Sequence, residues 1–268
     1  MVSLLYTSIS GYASYYDKAT IAKIMGSLWK AYLEYVIPAD YVPRCGYYLC
    51  DVYPEPEIEG GLMRTSDHLQ SDNEHSYSAM WWAENICRAF PQIVALRVMR
   101  DEVVNVLRIH DLFESKIGGD TPDVSERNNE DKDTQETRWA ITYGLHLPDV
   151  DYRDRLLANF FAFQDKTTVL GQIAYCFDKI DAVLRGLAFE HYGRIGSVGN
   201  RGFASDDESI RITGTTRMTD NWFDTSIRKI SPYECSDFFV HIVAEVFRIE
   251  RGEYPAWLEK IKHYEFLD

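Results

Sequence analysis

The segment TVLGQIAYCFDKIDAVLRGLAFEHY at 168–192 is apolar at helical spacing, and it carries a carboxylate, Asp178, in its middle. The residues about one turn away, Ala174, Tyr175 and Ala182, are apolar. A carboxylate on such a face needs a cation, a hydrogen-bond donor or a metal opposite it. Asp181, one turn on, competes for the same role. The partners must come from other elements, and a helical bundle assembles such groups from facing helices.

The rest of the chain supports that architecture. Residues 17–37 place Ile21, Ile24, Leu28, Ala31, Tyr32 and Tyr35 at helical spacing, with Asp17 as N-cap and Pro38 as stop. Further helices are expected over 74–90, 93–113 (with a break near Arg100–Asp101), 136–145 and 152–163. Another runs through SPYECSDFFVHIVAEVFRIERG, with a serine N-cap and a glycine stop, and a short one follows at 255–264. Proline and glycine make 38–60 an irregular connector. The charged stretch DVSERNNEDKDTQ at 123–135 reads as a solvated loop inserted in the core. Residues 193–230 read as a long loop or short hairpin, with SIRITGTTRM alternating briefly. Strand signals are scarce, so the class is all-α. The division expected is a helical extension at 1–60 packed on the core, a core at 61–192, and a loop-rich segment with C-terminal helices at 193–268.

Composition narrows the function. A net charge of −14 repels phosphate backbones and argues against a broad nucleic-acid face. A small phosphorylated substrate remains compatible, because a metal and a few local cations reverse the sign inside a pocket. The five cysteines, Cys45, Cys50, Cys87, Cys176 and Cys235, include no CxxC pair, so neither a disulfide framework nor a zinc knuckle is expected. No basic, apolar leader opens the sequence and no stretch has the length of a membrane span. A soluble cytoplasmic protein is expected. Walker A, GxGxxG and GxSxG motifs do not occur.

His110–Asp111 ends the apolar pattern of 93–113 and puts an imidazole and a carboxylate at one point of the backbone. If the helix continues, Glu114 shares a face with His110. Asp120 follows two glycines, where a turn can aim it back at the helix end. Carboxylates flanking a metal pocket are what hydrolysis needs, to orient or deprotonate water and to protonate a leaving oxygen. His75, which opens the helix at 74–90, and Asp178 are the ligand candidates on separate helices.

The order H…HD…D, with H-D-x-x-E-x4-G-D-x-P after the second histidine, resembles the HD-domain phosphohydrolases, and most closely their 5'-deoxynucleotidase branch. The segments that carry the resemblance are NEHSYSAMWWA (73–83), RIHDLFESKIGGDTP (108–122) and FDKIDAVLRGLAFE (177–190), within 62–192. The last is similar to the family's D-K-[LIV]-[ED] helix, which selects Asp178 over Asp181 as ligand. The resemblance implies an HD-domain helical bundle with additional N- and C-terminal helical segments. It implies one divalent ion (Mn, Co, Ni, Zn, Fe or Mg) held by His75, His110, Asp111 and Asp178. It places Glu114 and Asp120 beside the scissile phosphate as catalytic groups. Arg64 matches a phosphate-contacting arginine upstream of the first histidine. Arg64–Thr65 stands where the deoxynucleotidases have Arg-Trp, so a deoxyribose preference does not follow.

Lys166 reads either as a phosphate contact or as a snorkelling surface lysine. Trp81 and Trp82 read as packing residues rather than a base-stacking platform. The expected activity is metal-dependent phosphohydrolysis of a small phosphorylated substrate, a nucleoside 5'-monophosphate in the first instance. The alternatives are a phosphodiesterase or nucleotide triphosphohydrolase at the same site, and a non-catalytic binding protein that keeps the fold. Apolar faces at 17–37 and 233–249 either cover the core or form a homodimer interface.

Overall fold

The computed structural model describes residues 15–31, 72–113, 129–147, 149–191, 226–255 and 258. Among them no strand occurs. Helix α1 is Lys18–Ala31, α2 Asp72–Ala89, α3 Val94–Leu107, α4 Asn129–Leu145, α5 Val150–Asp165, α6 Val169–His191 and α7 Ser236–Arg251. The all-α class is what the sequence implies.

Local chemistry sets several ends. Asp17 caps α1, with Thr20 N–H donating to Oδ1 at 2.7 Å. Asp149 caps α5 through Tyr152 N–H at 2.9 Å. Thr168 Oγ1 accepts from Gly171 N–H at 3.1 Å at the start of α6. Gly252, at φ 78°, ends α7 with its N–H on Arg248 O.

Helix α6 is the axis of the molecule, packing against α2, α3, α5 and α7. Its Ile173, Ala174, Cys176, Phe177, Ile180, Val183, Leu184, Leu187 and Ala188 are all buried, as expected of a helix apolar on most sides. Helix α1 buries Ile21, Met25 and Trp29 and lies on α7. Phe177–Phe239 and Phe90–Phe238 ring contacts tie α7 to α6 and to the end of α2. Trp82 is fully buried and Trp81 packs against the same core, which fits their reading as packing residues. A smaller apolar cluster, Ile109, Phe113, Ala140, Leu156 and Phe160, lies beside α4 and α5.

Three expectations change. Helix α3 runs unbroken through Arg100–Asp101 but stops at Leu107, and 108–113 form turns. Ile109 and Phe113 leave the helical path to fill the smaller cluster, so α3 does not continue towards Glu114. The charged stretch is not loop throughout, because α4 starts at Asn129 and includes 129–135. Burial of Glu136 and Ala140 anchors that helix while Asp133, Thr134 and Gln135 stay exposed. Residues 231–235 turn before α7, and Cys235 rather than a serine stands at its N-cap, with no side-chain cap bond. The connector at 38–60, the hairpin expected within SIRITGTTRM and nearly all of 255–264 lie outside the described residues.

Candidate metal centre

Three elements meet at one buried point. His75 comes from the first turn of α2, His110 and Asp111 from the turn after α3, and Asp178 from the middle of α6. His75 is fully buried, and His110 and Asp178 nearly so. Ligand atoms of His75, His110 and Asp111 all lie within 4.8 Å of one another. His75 Nε2 is 2.7 Å from Asp178 Oδ1 and 3.8 Å from Asp111 Oδ2. His110 Nε2 is 3.1 Å from Asp111 Oδ2 and 3.4 Å from Asp178 Oδ1. Ligands about 2.1 Å from one ion, at tetrahedral to octahedral angles, stand roughly 3–3.5 Å apart. His75, His110 and Asp111 come close enough to share one ion, and Asp178 Oδ1 meets His75 Nε2 at hydrogen-bond distance.

The two imidazoles are held by their other nitrogens. His110 Nδ1–H donates to Leu107 O at 2.7 Å, so Nε2 faces the carboxylates. That Nε2 is buried and makes no hydrogen bond, an arrangement costly for a polar atom unless something else occupies it. The Phe163 ring packs on the His110 ring at 4.8 Å between centroids. His75 Nδ1–H donates to Asp181 Oδ2 at 2.7 Å, and the Ser78 hydroxyl donates to Asp181 Oδ1. Asp178 and Asp181, one turn apart on α6, therefore meet opposite nitrogens of the His75 ring.

The centre is electrostatically tense without a cation. Burial opposes charging His110, but Asp111 and Asp178 outweigh it and push its pKa up to about 10. Burial also opposes ionisation of Asp178, yet the Lys179 ammonium and the two histidines hold its carboxyl well below the usual range. A proton and a metal would compete for the same lone pair of His110.

Two lysines reach the Tyr175 ring. Lys179 Nζ is 2.9 Å from Asp178 Oδ2 and lies 5.1 Å from the Tyr175 ring centroid. Lys166 Nζ lies 4.8 Å from the same centroid and 5.8 Å from that of Phe163. Burial and the nearby Lys179 charge lower the Lys166 pKa. From the α4 side, Glu136 is buried and accepts from Gln164 Nε2 at 2.7 Å, with Lys132 Nζ at 3.6 Å. Burial raises its pKa, and the field of Asp111 adds to the rise.

Of the residues expected at the site, His75, His110, Asp111 and Asp178 come together, and Lys166 lies over the Tyr175 ring. Arg64, Glu114 and Asp120 lie outside the described residues. The sequence reading missed the Ser78–Asp181–His75 chain, Lys179 and Glu136. Ser78, at i+3 from His75, and Lys179, next to Asp178, were within reach of helical spacing. Glu136 sits just beyond a charged stretch, and nothing local marks it as buried.

No helix among the described residues is long and apolar enough to cross a membrane. Residues 59–194, just over half of the chain, match a family described as HD domain. No curated protein and no solved structure matches the chain.

Proposed function

The chain belongs to the HD-domain family of metal-dependent phosphohydrolases, and from that premise we propose that it releases phosphate from a phosphomonoester, a nucleoside 5'-monophosphate in the first instance. The observation that supports the reading is the grouping of His75, His110 and Asp111 ligand atoms within 4.8 Å of one another, with Asp178 Oδ1 2.7 Å from His75 Nε2 and His110 Nε2 buried without a hydrogen bond. These four residues would hold one divalent ion, and their mixed nitrogen and oxygen set admits Mn, Co, Ni, Zn, Fe or Mg. Such an ion supplies Lewis-acid stabilisation of a phosphoryl oxygen and an activated water.

The chain's own groups then have distinct tasks. Asp181 and Ser78 hold the His75 ring so that Nε2 faces the centre. Leu107 O does the same for His110. Lys166 is the proposed phosphate contact, and Arg64 is a second by family resemblance. Glu114 and Asp120 are, by the same resemblance, the groups that move protons to and from the attacking water and the departing oxygen.

The test is orthophosphate release from a panel of nucleoside 5'-monophosphates by metal-replenished protein. His110→Ala and Asp111→Ala should each lower turnover by about 100-fold or more. Turnover unchanged in both variants would exclude this site. Pyrophosphate or triphosphate as the product, or cleavage of diesters alone, would move the assignment to another phosphoric-ester reaction.

A further inference from the structure

We infer that Cys176 and Cys235 form a redox site, which a small hydroperoxide oxidises to a reversible disulfide that staples α7 to α6. Neither residue belongs to the proposed metal centre.

The first ground is distance. The two Sγ atoms lie 3.8 Å apart, and both thiols are free and fully buried. A disulfide bond of about 2.05 Å asks each sulfur to move by about 0.9 Å from that spacing. Small rotations about the two Cα–Cβ bonds supply displacements of that size.

The second ground is the frame around the sulfurs. Cys176 lies in α6, and Cys235 is the N-cap of α7. The chain neighbours of Cys176 are Tyr175 and Phe177. The Tyr175 ring meets Tyr233 at 5.9 Å between centroids, and the Phe177 ring meets Phe239 at 4.9 Å. Two ring pairs thus hold the same two segments together at positions that flank the thiols in sequence. Thiols held in contact this way react as an intramolecular pair, at a high effective concentration. Cys235 makes no side-chain cap bond, so its sulfur is not committed to the start of α7.

The third ground is the route in. Cys235 ends the turns at 231–235, where Ser231, Pro232 and Glu234 are exposed and Tyr233 is half-buried. Tyr233 N–H bonds Ile230 O and Ser236 N–H bonds Tyr233 O, each at 3.0 Å. Local opening of this short segment exposes Cys235 while α6 stays folded. Cys176 is the less reactive partner, because burial and the adjoining Cys235 thiol push its own thiol well above the ordinary range. Cys235 is therefore oxidised first. Its sulfur bonds the terminal peroxide oxygen, the O–O bond breaks, and the other oxygen leaves with the thiol proton as water or alcohol. Once the segment recloses, Cys176 Sγ attacks the sulfenic sulfur of Cys235. The S–O bond breaks, and hydroxide leaves with the Cys176 proton as water. The two thiols lose two electrons, and the peroxide takes them up.

The experiment treats folded full-length protein with excess hydrogen peroxide, blocks the remaining thiols by alkylation and maps the peptides by mass spectrometry without reductant. The expected product is a peptide that links Cys176 to Cys235 and is lost on adding dithiothreitol. The oxidised chain should melt about 5 °C or more above the reduced one, because the bond joins residues 59 apart in sequence and constrains the unfolded chain. A chain carrying Cys45→Ser, Cys50→Ser and Cys87→Ser should keep both the link and the shift. Cys235→Ser, which puts a favoured N-cap residue at α7, should lose both while its helix content by circular dichroism stays at the wild-type level. Cys176→Ala, a small apolar replacement in the core, should lose them as well. Free thiols at both positions after treatment would overturn the inference. So would sulfinic acid at Cys235 in place of the link, or a disulfide that joins either residue to Cys45, Cys50 or Cys87 instead.

Discussion

Asp181 has the more demanding position of the two acidic residues on α6. Both its oxygens are engaged, one by His75 Nδ1 and one by Ser78, and it is fully buried. A buried carboxylate with both oxygens satisfied fixes its neighbour instead of binding a new one. Its removal should therefore loosen the His75 ring without deleting a ligand. Asp181→Asn keeps the volume and one acceptor, and should weaken metal binding about tenfold while leaving the helix content unchanged. Isothermal titration with a divalent ion measures this. An affinity equal to wild type would remove Asp181 from its positioning role. Family resemblance chose Asp178 over Asp181 as the ligand, but spacing alone left the two equivalent. Only the direction of the His75 ring separates them.

At the scale of elements, the site depends on how closely α5 and α6 approach. A methyl group at position 171 would collide with the Ala162 carbonyl oxygen, which belongs to the last turns of α5. Gly171 is therefore needed for contact and not for flexibility. Gly171→Ala should push the two helices apart and cost roughly 2–4 kcal/mol in urea unfolding, in line with overpacking at a backbone contact. A loss under about 0.5 kcal/mol would mean the contact is not rigid. The helices themselves were legible because their apolar periodicity is strong and their caps, Asp17 and Gly252, follow local rules. The end of α3 was not. The apolar pattern runs on through Ile109 and Phe113, and only the separate cluster around Phe160 shows that those side chains leave the helix. The start of α4 was hidden for the opposite reason. Charged residues at 129–135 resemble a loop, while the burial that anchors the helix comes later, at Glu136 and Ala140.

For the whole molecule, the proposed ligands come from three elements that only folding brings together. The HD dipeptide and the DKID helix were legible as motifs, but their convergence with His75 was visible only through resemblance to a family, since no spacing rule links residues on separate helices. A metal bound there would be linked to folding, and protons would compete with it. The sign follows from His110, whose pKa is raised to about 10 in the metal-free protein. Stability from its protonated form is fully present below about 6.5 and lost as pH rises through about 10. The metal needs the neutral ring, so its affinity should rise with pH across the same window.

The most direct measurement is the stoichiometry of divalent-ion uptake by wild-type protein at pH 6 and pH 8, beside His110→Ala and Asp178→Ala. The account predicts about one ion per wild-type chain, bound more tightly at pH 8 with proton release, and little or none in either variant. Equal uptake by all three proteins, or wild-type affinity that falls as pH rises, would contradict a centre built from His75, His110, Asp111 and Asp178.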